Sequence, residues 1–242
     1  MINFKYWKNQ YAWNNGTNVY TNRNISEFSI YNGTPAECEI EIKMITKEIN
    51  SENINSKETE ILRAIDLINQ WGGQTSRMFY SRHKKNNYSS PRDRITNNPN
   101  LELYKKGIIQ SKEINEIAFS TFKNIYGINE SFSGKHAMFW SNFNLIVLDN
   151  KIAGALGYKT PNKLLNKLTY KEILNKFRKI QNENNFLNPT IVERAYFAFH
   201  NNYFKNNNCE FKSNISDFTD LEEAVNIGNI LEIEIPNFIL NR

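Results

Sequence analysis

A lysine and an aspartate, each beside a short apolar stretch, are the strongest candidates for reactive side chains in this chain. Lys135 follows Gly134, and Asp149 follows an apolar run at 145–148. We predict that Lys135 lies in the first turn of a short helix over 134–142, where the positive end of the helix dipole disfavours a cation. An amine kept neutral at such a place is a nucleophile.

Asp149 has the sequence context of a helix N-cap. It precedes a segment that keeps a helical pattern to Leu156 and ends at Gly157. Taken alone, Asp149 is explained by capping and Lys135 by an ordinary solvated surface position. Taken together, a nucleophilic amine and a nearby carboxylate are the groups needed to attack and stabilise an electron-poor carbon.

The stretch that runs from Gly134-Lys135, through the apolar connector, to Asp149-Asn-Lys-Ile-Ala-Gly-Ala-Leu-Gly157 resembles the lysine–aspartate core of the 8-oxoguanine DNA glycosylase family. More closely, it looks like short bacterial proteins with an 8-oxoguanine glycosylase fold, in the helix-hairpin-helix superfamily. The resemblance covers roughly residues 110–205. It implies that Lys135 opens the second helix of the hairpin motif, with residues 131–134 as the hairpin turn. This turn has one glycine and departs from the usual family pattern.

The resemblance implies an enzyme, a DNA N-glycosylase with lyase activity that removes an oxidised or modified purine. Lys135 would attack C1′ of the sugar, and Asp149 would stabilise the positive charge that develops there. No metal and no cofactor is expected. The predicted site residues, beyond this catalytic pair, are Phe139, Trp71 and His136 for the base pocket and Gly134, Asn150, Lys151, Arg92 and Arg94 for phosphates.

Two other functions are compatible with the same residues. A protein of the same fold could grip a modified nucleobase or a nucleic acid without turnover, because bacterial proteins of this kind are associated with antiphage defence gene clusters that carry nucleobase-modifying enzymes. A helical protein-interaction domain is the other alternative, which the aromatic N-terminal segment would allow. Core packing explains Phe139, and solvated loop positions explain Arg92 and Arg94, if no nucleic acid is bound.

Hydrophobic periodicity predicts a mainly α fold, with two helical lobes around a cleft as the resemblance implies. Residues 1–50 are expected to form an irregular or partly β wrap, in which 36–50 fits a strand or a helix, and residues 51–242 form the glycosylase-like domain, with its hairpin and catalytic core at about 111–157. In the first half of the chain, helices are predicted from a Ser56 cap to Trp71 and from a Ser111 cap to a Gly127 stop, with a loop at 84–100 between them. Further helices are predicted at 149–156, from Thr160-Pro161, at 170–184 and at 189–205. Near the end of the sequence, a helix is predicted from Ser216 or Asp217 to about 225 and a possible strand at 230–235.

Composition limits the classes of protein that fit. The 242 residues carry a net charge of +5, with a pI near 9.0, which permits a nucleic-acid partner without requiring one. Two widely spaced cysteines, Cys38 and Cys209, argue against a zinc or iron–sulfur site and fit a reducing compartment. With neither a signal-peptide pattern nor a long apolar stretch, we expect a cytoplasmic protein that does not associate with membranes.

Overall fold

Helices form the architecture of this protein. The computed structural model describes residues 4–9, 11, 35–73, 91–96 and 100–201, and within these residues it contains no β-strand. The mainly α prediction is therefore confirmed for this part of the chain. The described helices are α1 (Phe4–Asn9), α2 (Pro35–Glu48), α3 (Glu58–Trp71), α4 (Pro91–Thr96), α5 (Asn100–Lys112), α6 (Ile117–Lys123), α7 (Glu130–Trp140), α8 (Asn150–Ala155), α9 (Pro161–Leu165), α10 (Tyr170–Glu183) and α11 (Pro189–Phe199).

The chain divides into two compact units. The central unit is Ala12–Val147, and the terminal unit joins Met1–Tyr11 to Leu148–Arg242. Lys135 belongs to the central unit and Asp149 to the terminal unit. The shared cleft expected for this pair therefore stays a prediction.

In the central unit, α7 is the helix around which the others pack. It contacts α2, α3, α5 and α6. Every residue of α7 from Ser133 to Trp140 is buried. A helix that is buried on all sides needs apolar or internally bonded side chains around its whole circumference, which explains why the sequence here has little helical periodicity.

The terminal unit is built on α11, which packs against α1, α8 and α10. Its core is aromatic: Tyr196 makes ring contacts with Phe4 and with Phe177, each at a centroid distance of 5.2 Å. Trp7 packs edge-on to Phe199 at 5.5 Å. Because α1 supplies Phe4 and Trp7, the start of the chain is part of this core.

Local stop and cap signals gave the most accurate predictions. Gly127 and Gly157 have φ of 80° and 82°, the left-handed conformation that glycine adopts readily at helix ends. Thr160 accepts from the Lys163 amide at the start of α9, with Pro161 in the first turn. Thr169 forms a capping box at the start of α10. These helices are confirmed close to the expected positions.

Several predictions about the central unit are wrong. Residues 35–48 are helical, which confirms the helical alternative for 36–50 and corrects the irregular or partly β wrap expected there, and the α3 N-cap is Lys57 instead of Ser56. The helix expected from Ser111 is two helices, because Ile114 takes a φ of 56° and the Asn115 side chain accepts from the Ile117 amide, which ends α5 and starts α6.

The predicted loop at 84–100 contains α4 and the first residue of α5. The predicted helix from Ser216 or Asp217 and the predicted strand at 230–235 lie outside the described residues.

Candidate functional site

The helix that carries Lys135 begins earlier than the sequence suggested. Asn129 caps α7, and its side chain accepts from the Phe132 amide at 3.1 Å. Residues 131–134 are therefore helical, and the predicted hairpin turn just before Lys135 is wrong. Lys135 lies in the second turn, beyond the reach of the helix-end dipole effect invoked for it. Gly134 is buried within the helix, where regular geometry commits its amide to the Glu130 carbonyl, so that amide is not available to a phosphate.

Lys135 is a buried lysine, with only 8% of its surface exposed. Its Nζ donates to the Ser131 hydroxyl at 2.6 Å and lies 4.8 Å from the centre of the Phe132 ring. The side chain crosses the end of α3 so closely that a Cβ on Gly72 would stand 2.8 Å from its Cδ.

Two stretches that are far apart in sequence meet beside this lysine. The Trp71 ring lies edge-on to the Phe139 ring, with centroids 5.0 Å apart and planes at 88°. Both had been predicted for one base pocket, and the structure does bring them together with Gly72 and Lys135. The two rings are almost wholly buried, so their present role is to pack the contact between α3 and α7.

His136 faces a different side of α7 from Lys135. Its Nδ1 lies 2.7 Å from the Tyr104 hydroxyl, which also accepts from Trp140 Nε1 at 3.0 Å. Phe122 packs against the same imidazole at 5.7 Å between ring centres. His136 thus belongs to a buried polar network and does not line the contact between Trp71 and Phe139.

The network assigns the tautomer of His136. The Trp140 indole can only donate a hydrogen bond, so the Tyr104 oxygen must accept from it. The Tyr104 hydroxyl hydrogen is then free to donate to His136 Nδ1, and we assign it there. The imidazole proton is then on Nε2, which has no hydrogen-bond partner among the described residues. Burial, with the positive charges of Arg94 and Lys135, lowers the pKa of His136 to about 3, so the ring is neutral at pH 7.

The two arginines predicted to meet phosphates lie on α4, where Arg94 is buried and Arg92 keeps 42% of its side chain exposed. Arg92 pairs with Asp66 at 2.5 Å, and Arg94 has no exposed surface. Burial raises the pKa of the Asp66 carboxyl, although Arg92 opposes this shift. The placement of these arginines in a solvated loop is wrong, and in this conformation Arg94 cannot reach an external phosphate.

Asp149 is the N-cap that the sequence predicted. Its Oδ1 accepts from the amides of Lys151 at 2.8 Å and Ile152 at 3.0 Å. A carboxylate at a helix N-terminus is also stabilised by the helix dipole. Lys151 and Asn150 are exposed. A phosphate at this helix start would have to use the Lys151 ammonium and the Asn150 amide, which Asp149 does not engage.

His200 is a neighbour of Asp149 that sequence reasoning assigned only to core packing. It is half-buried at the end of α11, and its ring lies so close to α8 that a Cβ on Gly154 would be 2.5 Å from its Nε2. Burial lowers the pKa of His200 to about 4, the positive charge of Lys151 acts in the same direction, and the Asp149 carboxylate opposes them. A glycine five residues after a capping carboxylate, in the second turn of the helix, is the local signal that could have drawn attention to this contact.

No protein-family model, curated protein or solved structure matches this chain.

The described residues contain neither a candidate membrane-spanning helix nor a candidate metal-binding cluster. None of the helices there is both long enough and apolar enough to cross a membrane. Nor do those residues place three histidine, cysteine, aspartate or glutamate side chains where together they could hold a metal ion.

Proposed function

We propose that this protein acts on a nucleobase in DNA as an N-glycosylase with lyase activity, using Lys135 as the nucleophile. The observation that carries the proposal is the burial of the Lys135 amine against a hydroxyl and an aromatic ring, those of Ser131 and Phe132. These contacts hold the amine at a fixed position, and it becomes a nucleophile once it has lost its proton. A glycosylase-like helical fold, without the hairpin turn at 131–134, and the DNA partner form part of the same proposal.

The chemistry requires a lone pair on the Lys135 nitrogen. Attack on C1′ forms a C–N bond while the N-glycosidic bond breaks, and the base leaves with the bonding electrons and takes up a proton. The Asp149 carboxylate is assigned to stabilising the positive charge on the sugar. Loss of the amine proton and ring opening give a Schiff base, from which removal of a C2′ proton expels the 3′ phosphate.

Borohydride trapping on an oligonucleotide that contains 8-oxoguanine or an abasic site tests this proposal. The wild type should form a covalent adduct, and Lys135→Gln should lose it. Lys105→Gln is the matched control, since Lys105 is equally buried at 8% exposed in the same unit but pairs with Glu102 at 3.1 Å. An adduct that survives in Lys135→Gln, or one that Lys105→Gln loses equally, refutes the assignment of the nucleophile.

Nucleobase or nucleic-acid binding without turnover is the second candidate function. The absence of a hairpin turn at the start of α7 favours it. Because the helix is continuous across residues 131–134, it lacks the exposed amides with which a hairpin would clamp a backbone phosphate. Salt-dependent binding of the same oligonucleotide, without a trapped adduct in the wild type, would support this candidate over the enzyme.

A further inference from the structure

Positive charge is concentrated in one part of this chain. Residues 148–183 contain eight lysines and arginines against three acidic residues, a net charge of +5 that equals the value for all 242 residues. Residues 35–73, by contrast, contain four basic and eight acidic residues. The terminal unit therefore has a strongly basic stretch, from α8 to α10, that whole-chain composition conceals.

Burial sorts the side chains of α9 into two faces. Pro161 and Leu164 point inward and are buried, whereas Asn162, Lys163, Asn166 and Lys167 are exposed. Lys167 follows α9 directly, and its amide continues the helical turn by bonding to the Leu164 carbonyl at 3.0 Å. Lys163 and Lys167 are thus one turn apart on the outer face.

The lysines of this face differ in their partners from three lysines of the central unit. Lys43, Lys57 and Lys123 of the central unit each pair with a glutamate within 3 Å. Lys151, Lys159, Lys163 and Lys167 are all exposed, and no carboxylate of the described residues lies within ion-pair distance of them. These four ammonium groups are consequently available to an external anion.

We propose that the exposed face of α9, formed by Lys163 and Lys167 with Asn162 and Asn166, together with the neighbouring Lys159, binds the phosphate backbone of a nucleic acid. Lysine and asparagine both donate hydrogen bonds to phosphate oxygens, and residues one turn apart, at about 5–6 Å, can meet separate phosphates. An anionic membrane surface would be matched better by apolar side chains beside the lysines. The other exposed positions of the face are asparagines, and the neighbouring Leu165 and Leu168 are only partly exposed.

This surface deepens the proposed function, because it would hold the backbone of the same nucleic acid while other residues act on the base. It replaces Arg92 and Arg94 as the main phosphate contacts. The inference rests on charge and exposure in the terminal unit, so it can be tested without any turnover.

The test measures the affinity of the full-length protein for an undamaged duplex oligonucleotide as a function of salt. Lys163→Gln/Lys167→Gln should bind more weakly at low salt, and the slope of log K against log[salt] should become shallower by about 2. Lys47→Gln/Lys106→Gln is the matched control, since both lysines are exposed in the central unit and the loss of charge is identical. This control should keep the wild-type slope.

Equal weakening in the two double variants would show a general charge effect and overturn the proposal. Preferential loss of binding to vesicles that contain phosphatidylserine, with duplex binding unchanged, would overturn it in favour of a membrane surface. The binding experiment uses an undamaged duplex and requires no reaction at Lys135. A failed trapping experiment therefore leaves this inference standing, and an unchanged salt slope leaves the assignment of the nucleophile standing.

Discussion

The Tyr104 hydroxyl lies 2.7 Å from Nδ1 of His136, and both residues are without solvent exposure. Trp140 Nε1 donates to the same hydroxyl at 3.0 Å, so one phenol oxygen joins α5 to two side chains of α7. The pair forms part of the polar interior beside Lys135. The contribution of this hydrogen-bonded pair to the free energy of unfolding can be measured without an activity assay.

Replacing Tyr104 with phenylalanine should destabilise the protein by about 1–3 kcal/mol, because His136 Nδ1 and Trp140 Nε1 would both lose their buried partner. The change keeps the ring that packs on Phe122 at 5.0 Å. Urea unfolding measures the loss. Tyr126→Phe, at a residue 51% exposed, is the control and should change stability by less than about 0.5 kcal/mol. Similar losses in both variants would contradict the network.

Stability should fall as the pH is lowered from neutral, because His136 is neutral when folded. Its pKa is lowered from the usual 6.5 to about 3, chiefly by burial. Between these values the unfolded chain binds a proton that the folded protein does not, so stability is lost as pH falls through this window. One such group contributes at most about 1.4 kcal/mol per pH unit.

Urea unfolding of His136→Asn at neutral and acidic pH checks this prediction. The variant should have a flatter pH dependence than the wild type. His200, whose pKa is also lowered, to about 4, should leave a residual slope of the same sign. An unaltered slope in His136→Asn would mean that another group controls acid sensitivity.

Gly72→Ala should impair covalent trapping more than it impairs folding. The backbone of Gly72, with φ of −71°, accepts alanine without strain, but the new Cβ would lie 2.8 Å from both Lys135 Cδ and the Phe132 ring. Displacing the amine by about 1 Å should lower the trapping rate roughly tenfold to a hundredfold.

Gly107→Ala is the matched control for that experiment. Its Cβ would lie 2.7 Å from the Phe122 ring, which introduces strain in the same unit but at a place away from Lys135. It should lower the urea midpoint without changing the trapping rate of the protein that remains folded. Equal trapping rates in Gly72→Ala and the wild type would contradict a positioning effect of the α3 end on Lys135.

Two substitutions of Asp149 separate its capping role from its charge. Asp149→Ala should cost about 0.5–2 kcal/mol, because the amides of Lys151 and Ile152 lose their acceptor. Asp149→Asn keeps an oxygen at the cap and should change stability little. If the carboxylate stabilises charge in the reaction, both variants should lose trapping on an 8-oxoguanine oligonucleotide. Retained activity in Asp149→Asn would leave Asp149 as a cap alone.

The start of α7, the helix that carries Lys135, shows how sequence reasoning went wrong. A helix start was expected at Gly134-Lys135, since glycine often ends a turn, but Asn129 follows the Gly127 stop and caps α7 first. With the correct start, Ser131 and Lys135 are one turn apart on the same face, as their 2.6 Å hydrogen bond requires. A cap residue directly after a glycine stop was the better signal.

The helical class and most helix ends of the terminal unit could be predicted from local sequence. Caps such as Asp149 and Thr169, and glycine stops such as Gly157, act through hydrogen bonds and backbone angles within a few residues, so local sequence contains the information. Only the tertiary structure decided what surrounds Lys135 and His136. Tyr104 is 32 positions from His136, and Gly72 touches a side chain from α7. Such contacts depend on how buried faces pack together, which the order of residues along one helix does not specify.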